Sequence, residues 1–153
     1  MDVKYILPFL ESVKSVLEQF GLSDVKRGEI SKRDIMHVKT DITAVIGIVG
    51  QIRGNIAYSM SKDTAQKIVS SMMMGMPVEE LDQMGRSAIG EFANMVTGNA
   101  SALLENSGLK VDITPPSIVF GQDVYFIISS VQTLSIDMET PLGKIEVNIG
   151  LEI

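Results

Sequence analysis

The stretch that decides the fold is SAIGEFANMVTGNAS, residues 87–101, which has the apolar spacing of a long helix but contains two glycines, Gly90 and Gly98. A glycine inside a helix costs about 1 kcal/mol relative to alanine. Between the glycines stand an acid and an amide, Glu91 and Asn94, three residues apart. Residues with this spacing project as neighbours from one side of a helix. The glycines are therefore interpreted as clearance around two polar side chains.

A wheel of about 100° per residue divides the helix into two faces. One broad face is apolar, which predicts that it is buried against a core. It holds Ile89, Phe92, Ala93, Val96, Ala100, Leu103 and Leu104. The opposite face is made mostly of small residues. It holds Ser87, Gly90, Glu91, Asn94, Thr97, Gly98, Ser101 and Glu105.

A solvated helix face usually carries long polar side chains, such as those of Lys, Arg and Gln. The small residues here would instead let another backbone come close. The pattern is that of a docking face for a partner. It fits equally well a helix–helix contact inside the protein or an ordinary surface with few long side chains.

Composition predicts one globular domain over residues 1–153, with 45% apolar and 21% charged residues. The net charge of −6 argues against sequence-independent nucleic-acid binding, which needs a basic surface. The chain has no cysteine, which excludes disulfides, thiolate metal sites and a cysteine nucleophile, and fits a reducing cytoplasm. No signal peptide is expected from the N-terminal sequence, and no apolar run approaches the ~20 residues that span a bilayer.

Apolar periodicity and breaker residues predict an α+β fold, with helices packed on one face of a mainly antiparallel sheet. Helices are predicted over residues 3–20, 62–74 and 81–106, with Pro8 starting or bending the first and Ser61 capping the second. Strands are predicted over residues 25–38, in a hairpin over 43–60, and over 124–130, 133–138 and 144–153. The methionines at the end of the second helix are predicted to fill the core, with an adaptable binding surface as the alternative. They are Met72, Met73, Met74 and Met76.

The long helix carries an ordered set of residues, Ser87, Glu91 and Asn94, and Pro115 follows in the sequence VDITPP. Glu-x-x-Asn alone is common by chance. Here it stands in an ordered context, after the hairpin VIGIVGQIRGNIAYSM, the helix TAQKIVSSMMMGM and the approach LDQMGRSAIGE. In this context the chain resembles the CheX/CheC/FliY family of chemotaxis phosphatases. The resemblance extends over residues 2–121.

The resemblance implies a phosphatase that binds a phosphorylated CheY-like response regulator and accelerates hydrolysis of its aspartyl phosphate. Carried over residue by residue, it implies that Asn94 orients the attacking water and that Glu91 pairs with a lysine in the regulator's active site. Ser87, Gly90 and Gly98 would line the docking face. The chain would hold no cofactor of its own, because the Mg²⁺ would be supplied by the regulator.

The first helix lacks a second Glu–Asn pair, since Glu11 is followed three residues later by Lys14. This favours the single-site CheX type over the two-site CheC type, and the resemblance also implies a homodimer joined through its sheets. Two alternatives remain. One is a non-catalytic scaffold of the same fold that docks a response regulator or resembles a flagellar-switch domain. The other is a ligand sensor with an apolar pocket, for which no residue argues specifically.

Overall fold

The computed structural model of the protein describes residues 3–152, apart from the side chains of residues 39, 40, 122–126 and 129. In chain order the elements are α1 (Val3–Gln19), β1 (Lys26–Arg33), β2 (Met36–Gly50), β3 (Arg53–Met60), α2 (Lys62–Met72), α3 (Gln83–Asn106), β4 (Val111–Ile113), β5 (Ser117–Ser129), β6 (Thr133–Thr140) and β7 (Gly143–Glu152).

The strands form one sheet in the order β1–β6–β7–β3–β2, and β4 and β5 share the remaining edge of β2. All pairings among the described strands are antiparallel. Strand β5 pairs with residues 36–45 of β2, and β4 pairs with residues 48–50. The predicted α+β fold with a mainly antiparallel sheet is confirmed.

The core lies between the helices and one face of the sheet. In β7, Ile145, Val147 and Ile149 are fully buried in this core, and they alternate with residues that face the other way. Successive side chains of a strand point to opposite faces, so this alternation aims one apolar row at the helices. Phe9 of α1 and Phe92 of α3 fill the same core and are also fully buried.

The segment predicted as one strand over residues 25–38 is two strands. Strand β1 ends at Arg33 and pairs with β6 at one edge of the sheet, whereas β2 begins at Met36 near the other edge. The Arg33 guanidinium donates a hydrogen bond of 3.1 Å to the carbonyl oxygen of His37, across the connection. No glycine or proline marks the break at residues 34–35, which is why the break was not predicted.

The helix ends follow local chemistry. Helix α1 begins at Val3 and runs through Pro8. The Ser61 cap of α2 is confirmed, because its hydroxyl accepts a hydrogen bond from the Thr64 amide. Helix α2 ends at Met72, two residues earlier than predicted, and Met74 adopts a left-handed conformation with φ of 59°.

The predicted core role of the methionines is right in part. Met72 and Met73 are half-buried and pack against the core. Met74 and Met76 are exposed, so the core prediction is wrong for these two. Their side chains leave the core because the chain has already turned away from the helix axis.

The predicted strand over residues 124–130 is the later part of β5, which begins at Ser117. The side chains at 124–126 and 129 lie outside the described part of the chain. The strands predicted over residues 133–138 and 144–153 correspond to β6 and β7, and residue 153 lies outside the described range.

Candidate functional site

Helix α3 carries the candidate site, and both of its ends are defined by local hydrogen bonds. The Asp82 carboxylate caps the first turn by accepting a hydrogen bond of 2.9 Å from the Gly85 amide. At the other end Gly108 has φ of 93°, a left-handed conformation that glycine adopts without strain. The helix is thus fixed over residues 83–106, two residues shorter at its start than predicted.

The predicted apolar face of α3 is buried. Fully or nearly fully buried residues on it are Ile89, Phe92, Ala93, Val96, Ala100 and Leu104, whereas Leu103 is half-buried. This face anchors the helix over the sheet and against α1. The Asn99 side chain reinforces the contact with α1 by donating a hydrogen bond of 3.1 Å to the Ser12 hydroxyl.

Thr97 belongs to the buried side of the helix, although the wheel placed it on the small-residue face. Its hydroxyl donates to the Ala93 carbonyl oxygen and shares a 2.7 Å hydrogen bond with the phenol of Tyr58 on β3. Burial raises the pKa of Tyr58, so its phenol stays protonated and neutral in the core. This pair ties the middle of α3 to the sheet and fixes how the helix is rotated about its axis.

Gly90, predicted to line the docking face, is also buried. A Cβ at Gly90 would lie 3.4 Å from the side chain of Pro116 and 3.6 Å from that of Ile118. The space beside this glycine is therefore filled by the segment that leads into β5. Gly90 serves the close approach of that segment to the helix.

The outward side of α3 is a stripe of four predicted site residues, which we name the α3 stripe: Ser87, Glu91, Asn94 and Gly98. Their steps of four, three and four residues keep them within about 60° of one another around the helix. Ser87 and Glu91 are exposed, and Asn94 and Gly98 are half-exposed. A Cβ at Gly98 would meet no atom within 4 Å, so the surface beside Asn94 is open.

The side chains of Glu91 and Asn94 form no hydrogen bond or ion pair with any other residue in the described part of the chain. Neither side chain is used to hold the fold together. A carboxylate offers hydrogen-bond acceptors only, whereas an amide offers a donor and an acceptor. Together they can bind a cation and orient a small polar molecule, such as water.

Two features beside the α3 stripe were missed by the sequence analysis. Met84 lies three residues before Ser87, which extends the stripe by one turn, and its side chain is 67% exposed. The Arg86 guanidinium lies over the ring of Phe120, 5.0 Å from its centroid. The spacing of Met84 was visible in the sequence, whereas the contact of Arg86 depends on where β5 passes.

Among the described side chains, no group of three or more His, Asp or Glu residues is placed so as to hold a metal ion. None of the helices within residues 3–152 is long and apolar enough to cross a membrane.

Comparison with known proteins places these features in context. The sequence profile described as chemotaxis phosphatase CheX matches residues 42–139. The CheY-P phosphatase CheX of Thermotoga maritima is 39% identical over 124 residues, which is 81% of this chain and 80% of that protein. The profile match includes the whole of α3 and therefore all of the α3 stripe.

Solved structures extend the similarity over the full length. A CheC-like superfamily protein from Shewanella sp. PV-4 superposes with a TM-score of 0.89 and 28% identity, covering 100% of both chains. A complex from Borrelia burgdorferi described as CheX–CheY–BeF3–Mg²⁺ matches with a TM-score of 0.77 and 26% identity, covering 97% of this chain and 98% of that one.

Proposed function

Because the chain belongs to the CheX family of chemotaxis phosphatases, we propose that it hydrolyses the aspartyl phosphate of a CheY-like response regulator. The observation that carries the proposal is the α3 stripe, where Glu91 is exposed, Asn94 is half-exposed, and neither side chain forms a hydrogen bond or ion pair with another described residue. The relative from Thermotoga maritima is a CheY-P phosphatase, and the Borrelia burgdorferi structure pairs CheX with CheY.

The proposed chemistry needs a single well-placed water. Water attacks phosphorus, the bond between phosphorus and the aspartyl oxygen breaks, and the products are inorganic phosphate and the free carboxylate of the regulator. The Asn94 amide would hold the water in line through one donor and one acceptor, as a glutamine does in small GTPases. A hundredfold acceleration lowers the barrier by only about 2.7 kcal/mol, which positioning can supply.

Glu91 is proposed to recognise the regulator. Its exposed carboxylate lies one turn before Asn94, so a lysine beside the regulator's aspartyl phosphate would reach Glu91 while the phosphoryl group reaches Asn94. The regulator would also contribute the Mg²⁺ that its own phosphorylation site binds. Gly98, with open space around it, would let the regulator's backbone come close on the far side of Asn94.

We also propose a homodimer, formed by pairing of β5 with its copy. Both outer edges of the sheet lack a described partner strand, and they differ in chemistry. Strand β1, KRGEISKR, is rich in charge and its register shifts at a bulge, two features that block edge-to-edge pairing. Strand β5, SIVFGQDVYFIIS, has one charged residue, and its Ile127 is 62% exposed.

The decisive experiment measures phosphate loss from a CheY-like regulator that has been phosphorylated with acetyl phosphate and Mg²⁺, with and without this protein. Asn94→Ala is expected to abolish the acceleration, because the water loses its orienting group, while the fold and binding of the regulator are retained. Asn99→Ala is the matched control, since it removes the same side chain from a different face of the same helix, where Asn99 is exposed and contacts Ser12 of α1.

Two results would contradict the proposal. If Asn94→Ala hydrolyses the phosphorylated regulator at the parent rate, Asn94 does not orient the water. If the parent protein binds the regulator without accelerating phosphate loss, the non-catalytic scaffold is the correct function.

A further inference from the structure

A cleft of about 380 Å³ opens where α2 ends and α3 begins. Its lining combines thioethers, aliphatic groups and carboxylates, from Met73, Met84, Pro77, Val78, Glu79 and Glu80. Met84 of this lining is 67% exposed, and two methionines next to the lining residues Met73 and Pro77 in the sequence are also exposed, Met74 to 97% and Met76 to 60%. We name these three methionines and the two glutamates the methionine–acid surface, made of Met74, Met76, Glu79, Glu80 and Met84.

Met74 is unfavourable where it stands, both for its backbone and for its side chain. Its φ of 59° lies in the left-handed region that glycine and asparagine favour. Its side chain is almost completely in water and packs against nothing that would compensate. Methionine is flexible and polarizable, and it is frequent on surfaces that bind other proteins. The left-handed backbone follows the end of α2, whereas the exposure of the side chain favours a contact outside the chain.

The methionine–acid surface is held in place before any partner arrives. The Ser70 hydroxyl donates a hydrogen bond of 2.7 Å to the backbone carbonyl oxygen of Met76. The side-chain amide of Gln66 donates one of 2.7 Å to the backbone carbonyl oxygen of Glu79. These bonds fasten the connection between α2 and α3 along α2. A partner meets a preformed surface, which lowers the entropy lost on binding.

Charge identifies the chemistry of the partner. Glu79 and Glu80 are exposed, and neither forms an ion pair with a described residue. Two uncompensated carboxylates beside exposed thioethers match a surface that is basic and apolar. Complementary charge of this kind mainly sets the rate of encounter and the choice of partner.

The distance between Met84 and Asn94 indicates which partner would contact the methionine–acid surface. Met84 lies ten residues before Asn94, which is about 15 Å along the helix axis and about 80° around it. A stable interface buries about 800 Å² on each partner, equivalent to a disc about 32 Å across. A regulator whose phosphoryl group reaches Asn94 would therefore extend as far as Met84.

We propose that the methionine–acid surface docks a basic and apolar patch of the same response regulator, beside its phosphorylated aspartate. This inference rests on the proposed function and adds a second contact to it. The α3 stripe contacts the phosphorylation site itself. The methionine–acid surface contacts the neighbouring surface of the regulator and so discriminates between regulators.

The test uses a CheY-like regulator carrying beryllofluoride and Mg²⁺ for binding, and the phosphorylated form for turnover. Met74→Gln combined with Met84→Gln is expected to raise the Kd and the KM by about tenfold or more, with kcat retained at saturation, because uniform binding is lost. Glu79→Gln combined with Glu80→Gln is expected to raise the Kd about threefold to tenfold at low salt, and to have little effect at about 0.5 M salt.

The matched control is Glu29→Gln combined with Ile30→Gln, which changes an exposed acid and an exposed apolar residue on β1, at one edge of the sheet. It is expected to leave both constants unchanged. An unchanged Kd and KM in the methionine variant, with Asn94→Ala still inactive, overturns this inference and leaves the proposed function standing. A parent protein that neither binds nor dephosphorylates the regulator overturns both.

Discussion

Substitution of Gly98 separates the stability of α3 from its use as a docking face. A Cβ at this position would meet no atom within 4 Å, and the backbone is helical on both sides. In a helix interior alanine is favoured over glycine by about 0.8–1.0 kcal/mol, and glutamine ranks close to alanine. Gly98→Ala and Gly98→Gln are therefore both expected to raise the free energy of unfolding, by about 0.5–1 kcal/mol. For a chain of this size that corresponds to an increase in Tm of about 1–4 °C.

Binding of the regulator is expected to weaken in Gly98→Gln, although the stability of the protein increases. Gly98 lies one turn beyond Asn94, so a glutamine side chain there would occupy the space through which the regulator approaches. We expect the KM of Gly98→Gln to rise by about tenfold, which is about 1.4 kcal/mol of lost binding, and the KM of Gly98→Ala to change much less. The comparison needs urea unfolding of each variant and initial rates of phosphate release at several regulator concentrations.

A matched control for Gly98→Gln is Ser15→Gln, which adds the same side chain at an exposed position of α1. It is expected to leave the KM unchanged. If Gly98→Gln is more stable than the parent and has the parent's KM, the regulator does not approach this part of the helix, and the docking role of Gly98 is refuted. If Gly98→Ala is less stable than the parent, the open space inferred around the glycine is wrong.

Three further outcomes are expected. Glu91→Lys replaces an attraction by a repulsion at the regulator's lysine. It is expected to weaken binding about fivefold to thirtyfold in a titration at low salt, and Glu91→Gln is expected to be intermediate. Equal affinities of the three proteins would remove the ion pair from the mechanism. Tyr58→Phe is expected to lower the free energy of unfolding by about 0.5–1.5 kcal/mol, and Thr97→Val by about 1–3 kcal/mol. The second loss is larger because only Thr97→Val leaves the buried phenol without a hydrogen-bond partner. Urea unfolding that reverses this order contradicts the role of the pair. Ile127→Lys is expected to convert a dimer to a monomer in light scattering, and a parent protein that is already monomeric contradicts pairing through β5.

The parts of the fold that the sequence predicted well depend on neighbours in the chain. Ser61 marks the start of α2 through a contact with Thr64, three residues later, and it was identified as the cap. The buried face of α3 was identified because burial repeats every three or four residues. The hairpin over residues 43–60 was predicted because glycines separate its two apolar runs, and the register of β2 with β3 confirms it.

The parts that were missed depend on distant contacts. Thr97 was placed on the small-residue face because a wheel contains no information about Tyr58, which lies 39 residues earlier and supplies its hydrogen-bond partner. The strand break at residues 34–35 was missed because the two strands separate toward opposite edges of the sheet. Met74 was assigned to α2 because its neighbours are apolar. In the structure α2 ends at Met72, and Met74 itself adopts a left-handed conformation.

The two glycines of α3 show what a spacing pattern cannot resolve about the surroundings of the candidate site. Gly90 and Gly98 are eight residues apart, which separates them by about 80° around the helix. One glycine turns toward Pro116 and Ile118 of the same chain, and the other turns toward open space. The sequence pattern predicts that both glycines leave space for a partner. It contains the spacing of the residues but not the path of the segment that follows the helix. The surface beside Asn94 is therefore open toward Gly98, whereas the flank beside Gly90 is closed by the protein itself.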